Sequence, residues 1–303
     1  MTVMISLIGE QPIPNLLPIR RIQPDEVLLL YTKRTEATAN RLKRLVERDG
    51  VRVHMLSTDP YDIQRARADL EGYIRDQGWT GSALVFNLTG GTKTMVLAAY
   101  QIAVALGAPF VYLQSEGRQS RLYRYEFVAG EYQKGGDEGL PGLITIDDYL
   151  RAHVGDYETR KPRFSDLGTQ FEEAIESALV GWVDEVKRGV RLGGVGGTVD
   201  LDLVVRLGNQ VGVIQAKTGK KAKKKDGLRE LNAACAREYL GTYTAKILVI
   251  NQKWDHTVTN LRDLANAWNI TVVELPSFTE SSPSLSPGDQ EELRRAVRGV
   301  LGG

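Results

Sequence analysis

"ALVFNLTGGTKTMVLAAYQIAVAL" occupies residues 83–106. An apolar run ending at Leu88 meets a turn of Thr89, Gly90, Gly91, Thr92 and Lys93, and a helical pattern follows near residues 94–106. The same succession recurs through the first half. Apolar runs at "VMISLI", "EVLLLYT", "VRVHML", "ALVFNL" and "PFVYLQ" alternate with helical patterns near residues 35–49, 60–77 and 94–106. This alternation predicts an α/β fold, a mostly parallel sheet with helices on both faces. Ligands of such sheets bind outside the carboxyl ends of the strands, which is where the glycine turn falls.

The chemistry of the turn suits an anion. Gly90 and Gly91 allow a close backbone turn with N–H groups exposed, and the helix beginning near Thr92 adds unpaired N–H groups and the positive end of its dipole. Thr89, Thr92 and Thr94 offer hydroxyls and Lys93 a charge, so phosphate is the natural guest. The spacing is not the Walker pattern, which disfavours an ordinary NTPase. A glycine turn with a helix cap and no ligand is the alternative. A second loop, "GEQPIPNLLP" at residues 9–18, occupies the equivalent place after the first strand. Pro12 and Pro14 stiffen it, and Gln11 and Asn15 supply side-chain amides able to read hydroxyls or base edges.

The chain of 303 residues is long enough for two domains. Its 42% hydrophobic and 25% charged residues are those of a globular protein. No apolar run approaches the roughly 20 residues that span a bilayer, and "MTVMISLIGE" lacks the features of a signal peptide, which predicts a cytoplasmic protein. Cys235 has no partner for an internal disulfide, and His54, His153 and His256 are too scattered for a zinc site. Residues 1–150 carry 17 Lys and Arg against 18 Asp and Glu, and residues 151–303 carry 22 against 20, so total charge announces no nucleic-acid partner. A local run does stand out: "KTGKKAKKKDG" gathers Lys217, Lys220, Lys221, Lys223, Lys224 and Lys225. Such a run is either a solvated loop or a track for a phosphate backbone.

In the second half, "GTQFEEAIESALVGW" places Phe171, Ala174, Ile175, Ala178, Leu179 and Trp182 on one helical stripe, with Glu172 at its edge. Next, "GTVDLDLVVRLGNQVGVIQAKTGK" predicts two strands joined by a turn at Leu207 to Gln210. Asp200 and Asp202 share one face of the first strand, and Gln215 and Lys217 share one face of the second. Carboxylates opposite a Gln-x-Lys suit divalent metal and phosphodiester chemistry. Mg²⁺ or Mn²⁺ prefers oxygen, which Asp202, the Gln215 amide and the Ala216 carbonyl can provide, with Glu172 as a further ligand or hydrogen-bonding partner. Lys217 would orient water or hold the phosphate. The segment "PSFTESSPSLSPGD", residues 276–289, predicts a flexible surface linker before a last short helix.

"LIGEQPIPNLLP" together with "NLTGGTKTM" resembles the CARF domain of the CRISPR-associated ancillary nucleases, which sense cyclic oligoadenylate in type III CRISPR defence. The resemblance implies cyclic tetra-adenylate as the ligand, with Gln11, Asn15, Thr89, Gly90, Gly91, Thr92 and Lys93 at it. It also implies a homodimer, since a twofold ligand is best met by two copies of one pocket. The order of helix Glu, strand Asp, Gln-x-Lys, helix and strand resembles the PD-(D/E)XK nuclease superfamily, a restriction-endonuclease-like α/β domain. By that resemblance Glu172, Asp202, Gln215 and Lys217 are catalytic, Asp202, Gln215 and Ala216 bind the metal, and Lys220, Lys221, Lys223, Lys224 and Lys225 contact DNA or RNA. Gln215 departs from the pattern, as in Mrr-like members, by replacing the usual acid. Relatives favour Asp202 over Asp200 as the ligand.

The implied organisation is a CARF domain at 1–150, a linker at 151–166 and a nuclease domain at 167–303. The implied function is a metal-dependent endonuclease activated by cyclic tetra-adenylate. Two other functions fit: a sensor whose second half binds nucleic acid without cutting it, and a repair or restriction-type nuclease independent of any cyclic nucleotide.

Overall fold

The computed structural model describes residues 1–116, 119–160, 166–194, 197–236, 239–241, 243–254 and 259–302. The chain divides into two compact units, Met1–Leu143 and Ile144–Gly303.

In the first unit four strand–helix pairs and a fifth strand alternate, the strands in the predicted order: β1 (Val3–Leu7), α1 (Ile13–Ile22), β2 (Glu26–Tyr31), α2 (Glu36–Arg48), β3 (Arg52–Ser57), α3 (Ile63–Asp76), β4 (Leu84–Asn87), α4 (Lys93–Leu106) and β5 (Phe110–Glu116). Two more strands, β6 (Gln119–Val128) and β7 (Glu131–Gly139), extend the sheet as antiparallel neighbours of β5. Its order is β3-β2-β1-β4-β5-β6-β7, with the first five parallel. All five residues of β1 are buried, as a central strand covered on both faces requires. Val3, Ile5, Leu7, Leu28, Leu30 and Phe86 of the sheet pack with Met95, Ala99 and Ile102 of α4. The chain reverses direction between β1 and β4 in the sheet order, so the loops after these two strands flank the switch point.

One expectation needs correction here. The stretch 9–18 is not a loop throughout: α1 begins at Ile13, and Pro14 lies in its first turn, where a missing N–H costs nothing. Asn15 is therefore a helical residue.

The second unit contains α5 (Ile146–His153), β8 (Tyr157–Thr159), α6 (Leu167–Leu179), β9 (Glu185–Gly194), β10 (Gly197–Leu207), β11 (Gln210–Lys217), α7 (Asp226–Ala234), β12 (Ala245–Ile250), α8 (Thr259–Ala267), β13 (Ile270–Glu274) and α9 (Pro287–Leu301). Its sheet runs β13-β12-β11-β10-β9-β8, antiparallel from β8 to β11 and parallel from β11 to β13. Phe171, Ile175 and Leu179 of α6 pack onto Leu203, Ile214, Val249 and Val273, and Leu293, Val297 and Leu301 of α9 close the same core. Of residues 151–166, the first three end α5, 157–159 form β8, and 161–165 lie outside the described residues.

Two further expectations differ. Trp182 is not on the α6 stripe, because the chain leaves the helix at an extended Val180 and turns at Gly181. Its ring is 37% exposed and lies beneath the guanidinium groups of Arg294 and Arg298, 4.4 and 5.0 Å from their carbons. The Ser- and Pro-rich stretch 276–289 is anchored: Phe278 is fully buried against Phe171 at 4.7 Å, and Ser277 donates to Asp289 from both its N–H and its hydroxyl. The helix after it, α9, has 15 residues. Low hydrophobicity hid two core side chains, Phe278 and Leu285, which pin the segment together with the Ser277–Asp289 bonds.

Candidate functional site

In the first unit the glycine turn lies against the end of β1. A Cβ on Gly90 would stand 2.2 Å from the Leu7 carbonyl oxygen, and Gly91 has φ +77°, so both positions need glycine. Thr92 caps α4, its hydroxyl accepting from the Met95 N–H at 3.3 Å. Beneath the turn runs a buried polar chain. Ser6 Oγ donates to Asn15 Oδ1 at 2.9 Å, and Asn87 Nδ2 donates to Ser6 Oγ at 3.1 Å and to the Pro14 carbonyl at 3.3 Å. Asn87 Oδ1 accepts from the Thr89 N–H at 3.2 Å and the Thr89 hydroxyl at 2.7 Å, and that hydroxyl accepts from the Leu113 N–H at 2.8 Å.

These bonds settle where the sequence-predicted residues stand. Asn15 is fully buried, and its Nδ2, without a hydrogen-bond partner among the described residues, lies 3.1 Å from where a Gly90 Cβ would be. Its side chain supports the turn from below. Thr92 donates to the Pro60 carbonyl at 2.8 Å, and Thr94 donates to the same oxygen. Lys93 is exposed at the start of α4, and Gln11 is half-buried just before α1. Sequence reading missed two neighbours. The loop carrying Pro60 is tied to the turn, and Arg34, from the connection after β2, pairs with Glu10 at 2.8 Å. Both are parts of loops after parallel strands, the one signal that would have found them.

In the second unit four separated positions converge. The β10–β11 ladder is paired from Leu207↔Gln210 to Leu203↔Ile214. Past that point Asp202 Oδ2 accepts from the Ala216 N–H at 2.8 Å. The N–H and C=O of one strand residue point to the same edge, so the Ala216 carbonyl is turned toward the same place as Asp202. The Gln215 side chain, itself buried, favours the charged form of Asp202. Burial pushes the Asp202 carboxyl up to about 6, against the opposing charge of Lys217. Glu172, on the edge of α6, is pushed up to about 7 by burial and then by the Asp202 charge. Two carboxylates thus repel each other in a partly desolvated place.

Asp200 stands apart. Arg191 donates to its two oxygens at 2.5 and 2.7 Å, which holds its carboxyl below the usual range. Of the two aspartates, Asp202 is therefore the one whose carboxyl interacts with Lys217 and Glu172. Lys217 Nζ lies 2.7 Å from Glu230 Oε2 on α7, a residue sequence reading did not single out. Among the described residues no cluster of three or more His, Cys, Asp or Glu forms a metal cage. The available donor set is two carboxylates with the Gln215 amide and the Ala216 carbonyl. This all-oxygen, doubly acidic set fits a hard divalent cation, which would offset the burial that raises both carboxyls and the repulsion of Glu172 by Asp202.

The lysine run follows directly. Lys220, Lys221 and Lys223 are exposed on a 3-10 turn, Gly219–Lys223, while Ala222 is buried and its carbonyl accepts from Trp254 Nε1 at 2.8 Å. Lys224 and Lys225, also exposed, lead into α7. Among the histidines, His54 is held between Glu26 and Tyr73 at 2.8 and 2.9 Å, and His256 lies outside the described residues.

Fold and loop together define a Rossmann-like CARF domain followed by a second α/β unit. Residues 3–149 match the family model described as the Card1 CARF domain, so the first half of the chain is a CARF domain. Over all of both chains the fold is similar to that of Can2 from Sulfobacillus thermosulfidooxidans, whose structure is in complex with cyclic tetra-adenylate, with 14% identity and a TM-score of 0.74. Protein VC1899 from Vibrio cholerae is similar at 12% identity and TM-score 0.72, over 99% of this chain and 97% of that one. A type III CRISPR defence DNA nuclease activated by cyclic oligoadenylate matches at 18% identity and TM-score 0.64, over 96% of this chain and 51% of that one. No curated protein matches the chain by sequence. Among the described residues no helix is long and apolar enough to cross a membrane.

Proposed function

We propose that the chain is a metal-dependent endonuclease of type III CRISPR defence, switched on by cyclic tetra-adenylate. The observation that carries the proposal is the convergence of Glu172, Asp202, Gln215 and Lys217 beyond the end of the β10–β11 ladder, in a chain that begins with a CARF domain. The complex of Can2 with cyclic tetra-adenylate supports the choice of ligand.

In this mechanism the turn from Thr89 to Lys93, with Gln11 beside it, receives a phosphate of the ligand through main-chain N–H groups and the Lys93 ammonium. Asn15 holds the turn rather than the ligand. Two copies of the chain form the working unit in the cytoplasm, one pocket meeting each half of a twofold ligand. Ligand binding shifts the population toward a conformation competent to cut, by its greater affinity for that conformation.

In the second unit Asp202, Glu172, the Gln215 amide and the Ala216 carbonyl would hold Mg²⁺ or Mn²⁺. Such an ion supplies an acidified water and stabilises charge on the phosphate. Asp202 is kept in its charged form by the Ala216 N–H and the Gln215 amide. Lys217 places an ammonium beside the scissile phosphate, and the exposed lysines from 220 to 225 guide the backbone of DNA or RNA toward it.

Gln215 favours a second function, a protein that binds nucleic acid on signal without cutting it. Incubation of supercoiled plasmid, single-stranded DNA and single-stranded RNA with Mn²⁺ or Mg²⁺, with and without cyclic tetra-adenylate, decides between them. Cleavage that requires both metal and ligand is the expected result. Cleavage without the ligand removes the switch, and no cleavage on any substrate leaves the binding function.

A further inference from the structure

Lys217 is a basic side chain whose charge acts on both Asp202 and Glu172, and its placement is not dictated by β11 alone. Its side chain is only 16% exposed, and a long flexible chain in that setting must be held by something. Two contacts from one helix hold it.

The first is steric. Gly227 lies buried in the first turn of α7. A Cβ at that position would stand 3.1 Å from Lys217 Cγ and 3.4 Å from its Cε, and 2.9 Å from Leu248 Cδ1. The absent side chain leaves the channel in which the lysine stem lies. The second contact is ionic. Glu230, three residues on and so on the same helix face, places Oε2 2.7 Å from Lys217 Nζ. Gly227 shapes the path of the stem and Glu230 fixes its end.

We infer that α7 acts as a template for Lys217, with Gly227 and Glu230 as positioning residues that set where its ammonium stands relative to Asp202 and Glu172. The inference rests on the proposed role of Lys217 in phosphodiester cleavage. Glu230 is 44% exposed and contributes little to stability, as exposed ion pairs do. Its effect falls on geometry, where a displacement of about 1 Å costs up to roughly 100-fold in rate.

The test uses the full chain with Mn²⁺ and cyclic tetra-adenylate, and two variants, Glu230→Gln and Gly227→Ala. Each is expected to lower kcat by about 10- to 100-fold while KM for the nucleic acid stays within about twofold. Thermal unfolding is measured in parallel for Gly227→Ala alone and in the Lys217→Ala background. The drop in Tm from the added methyl is expected to shrink once the lysine stem is gone, because Leu248 can shift the end of its side chain. A wild-type protein that cuts while both variants keep its kcat overturns the inference, as does faster cutting by Glu230→Gln, which would make the ion pair a restraint. If the wild type cuts nothing, the nuclease function fails on its own, and the unfolding comparison still decides: an equal Tm drop in both backgrounds overturns the contact between α7 and Lys217.

Discussion

Asp202 Oδ2 lies 2.8 Å from the Ala216 amide nitrogen, just past Leu203 and Ile214, the last paired residues of their ladder. A side chain thus takes a main-chain donor that the neighbouring strand leaves to it, and the carboxylate is drawn into a partly buried place beside Glu172.

Metal-free protein should lose stability as pH rises from about 4 to 7. Glu172 is raised from 4.5 to about 7 and Asp202 from 3.8 to about 6, so through that window the folded state binds more protons than the unfolded one. The unfolding free energy then falls with rising pH, and the loss is complete above the folded values. Glu172→Gln removes one charge and should stabilise the metal-free protein at about pH 7.5 by on the order of 1–2 kcal/mol, after allowing for solvent screening. Denaturant unfolding in chelator across the range checks this; a flat profile for the wild type would refute it.

Gln215→Glu should tighten binding of Mn²⁺ roughly tenfold, since affinity follows the number of charged ligands. It should also lower the metal-free Tm, because a third carboxylate joins two that already repel each other. Calorimetric titration and thermal unfolding read the two effects separately. An unchanged affinity would place Gln215 away from the metal.

Gly90→Ala and Lys93→Ala should fail in different ways. The methyl on Gly90 meets the Leu7 carbonyl at 2.2 Å, so the turn must move at a cost of about 2–4 kcal/mol, and ligand binding is lost with it. Lys93 is exposed, and its loss should leave stability within about 0.5 kcal/mol while weakening cyclic tetra-adenylate by about 1.5–3 kcal/mol. Equal affinity of wild type and Lys93→Ala would remove the lysine from the ligand site.

Replacing Lys220, Lys221 and Lys223 together by Ala should weaken nucleic-acid binding alike on all sequences and flatten its dependence on log salt by about 2–3 units. A slope that does not change would make the run a solvated loop.

Much of the fold was legible because the needed signals are local. Buried runs such as Val3–Leu7 and the glycine turn before α4 mark strand ends and helix starts within a few residues. The start of α1 was not, because prolines at 12 and 14 read as a stiff loop although a first helical turn accepts them. Phe278 was missed for a similar reason: a single aromatic in a Ser- and Pro-rich stretch carries no periodicity, and only its partner Phe171 shows what it does.

By itself the sequence determined the alternation of elements, the residue types at each strand end and the faces that Asp202, Gln215 and Lys217 occupy, since a strand has a period of two and a helix one of 3.6. Only the tertiary structure decided that the Thr92 hydroxyl of the glycine turn is already satisfied by Pro60, that Arg191 removes Asp200 from the site, and that Glu230 reaches Lys217. Hydrogen bonds and ion pairs act over about 3 Å in space, and residues 9 to 32 positions apart in the chain come within that reach only when the sheets assemble.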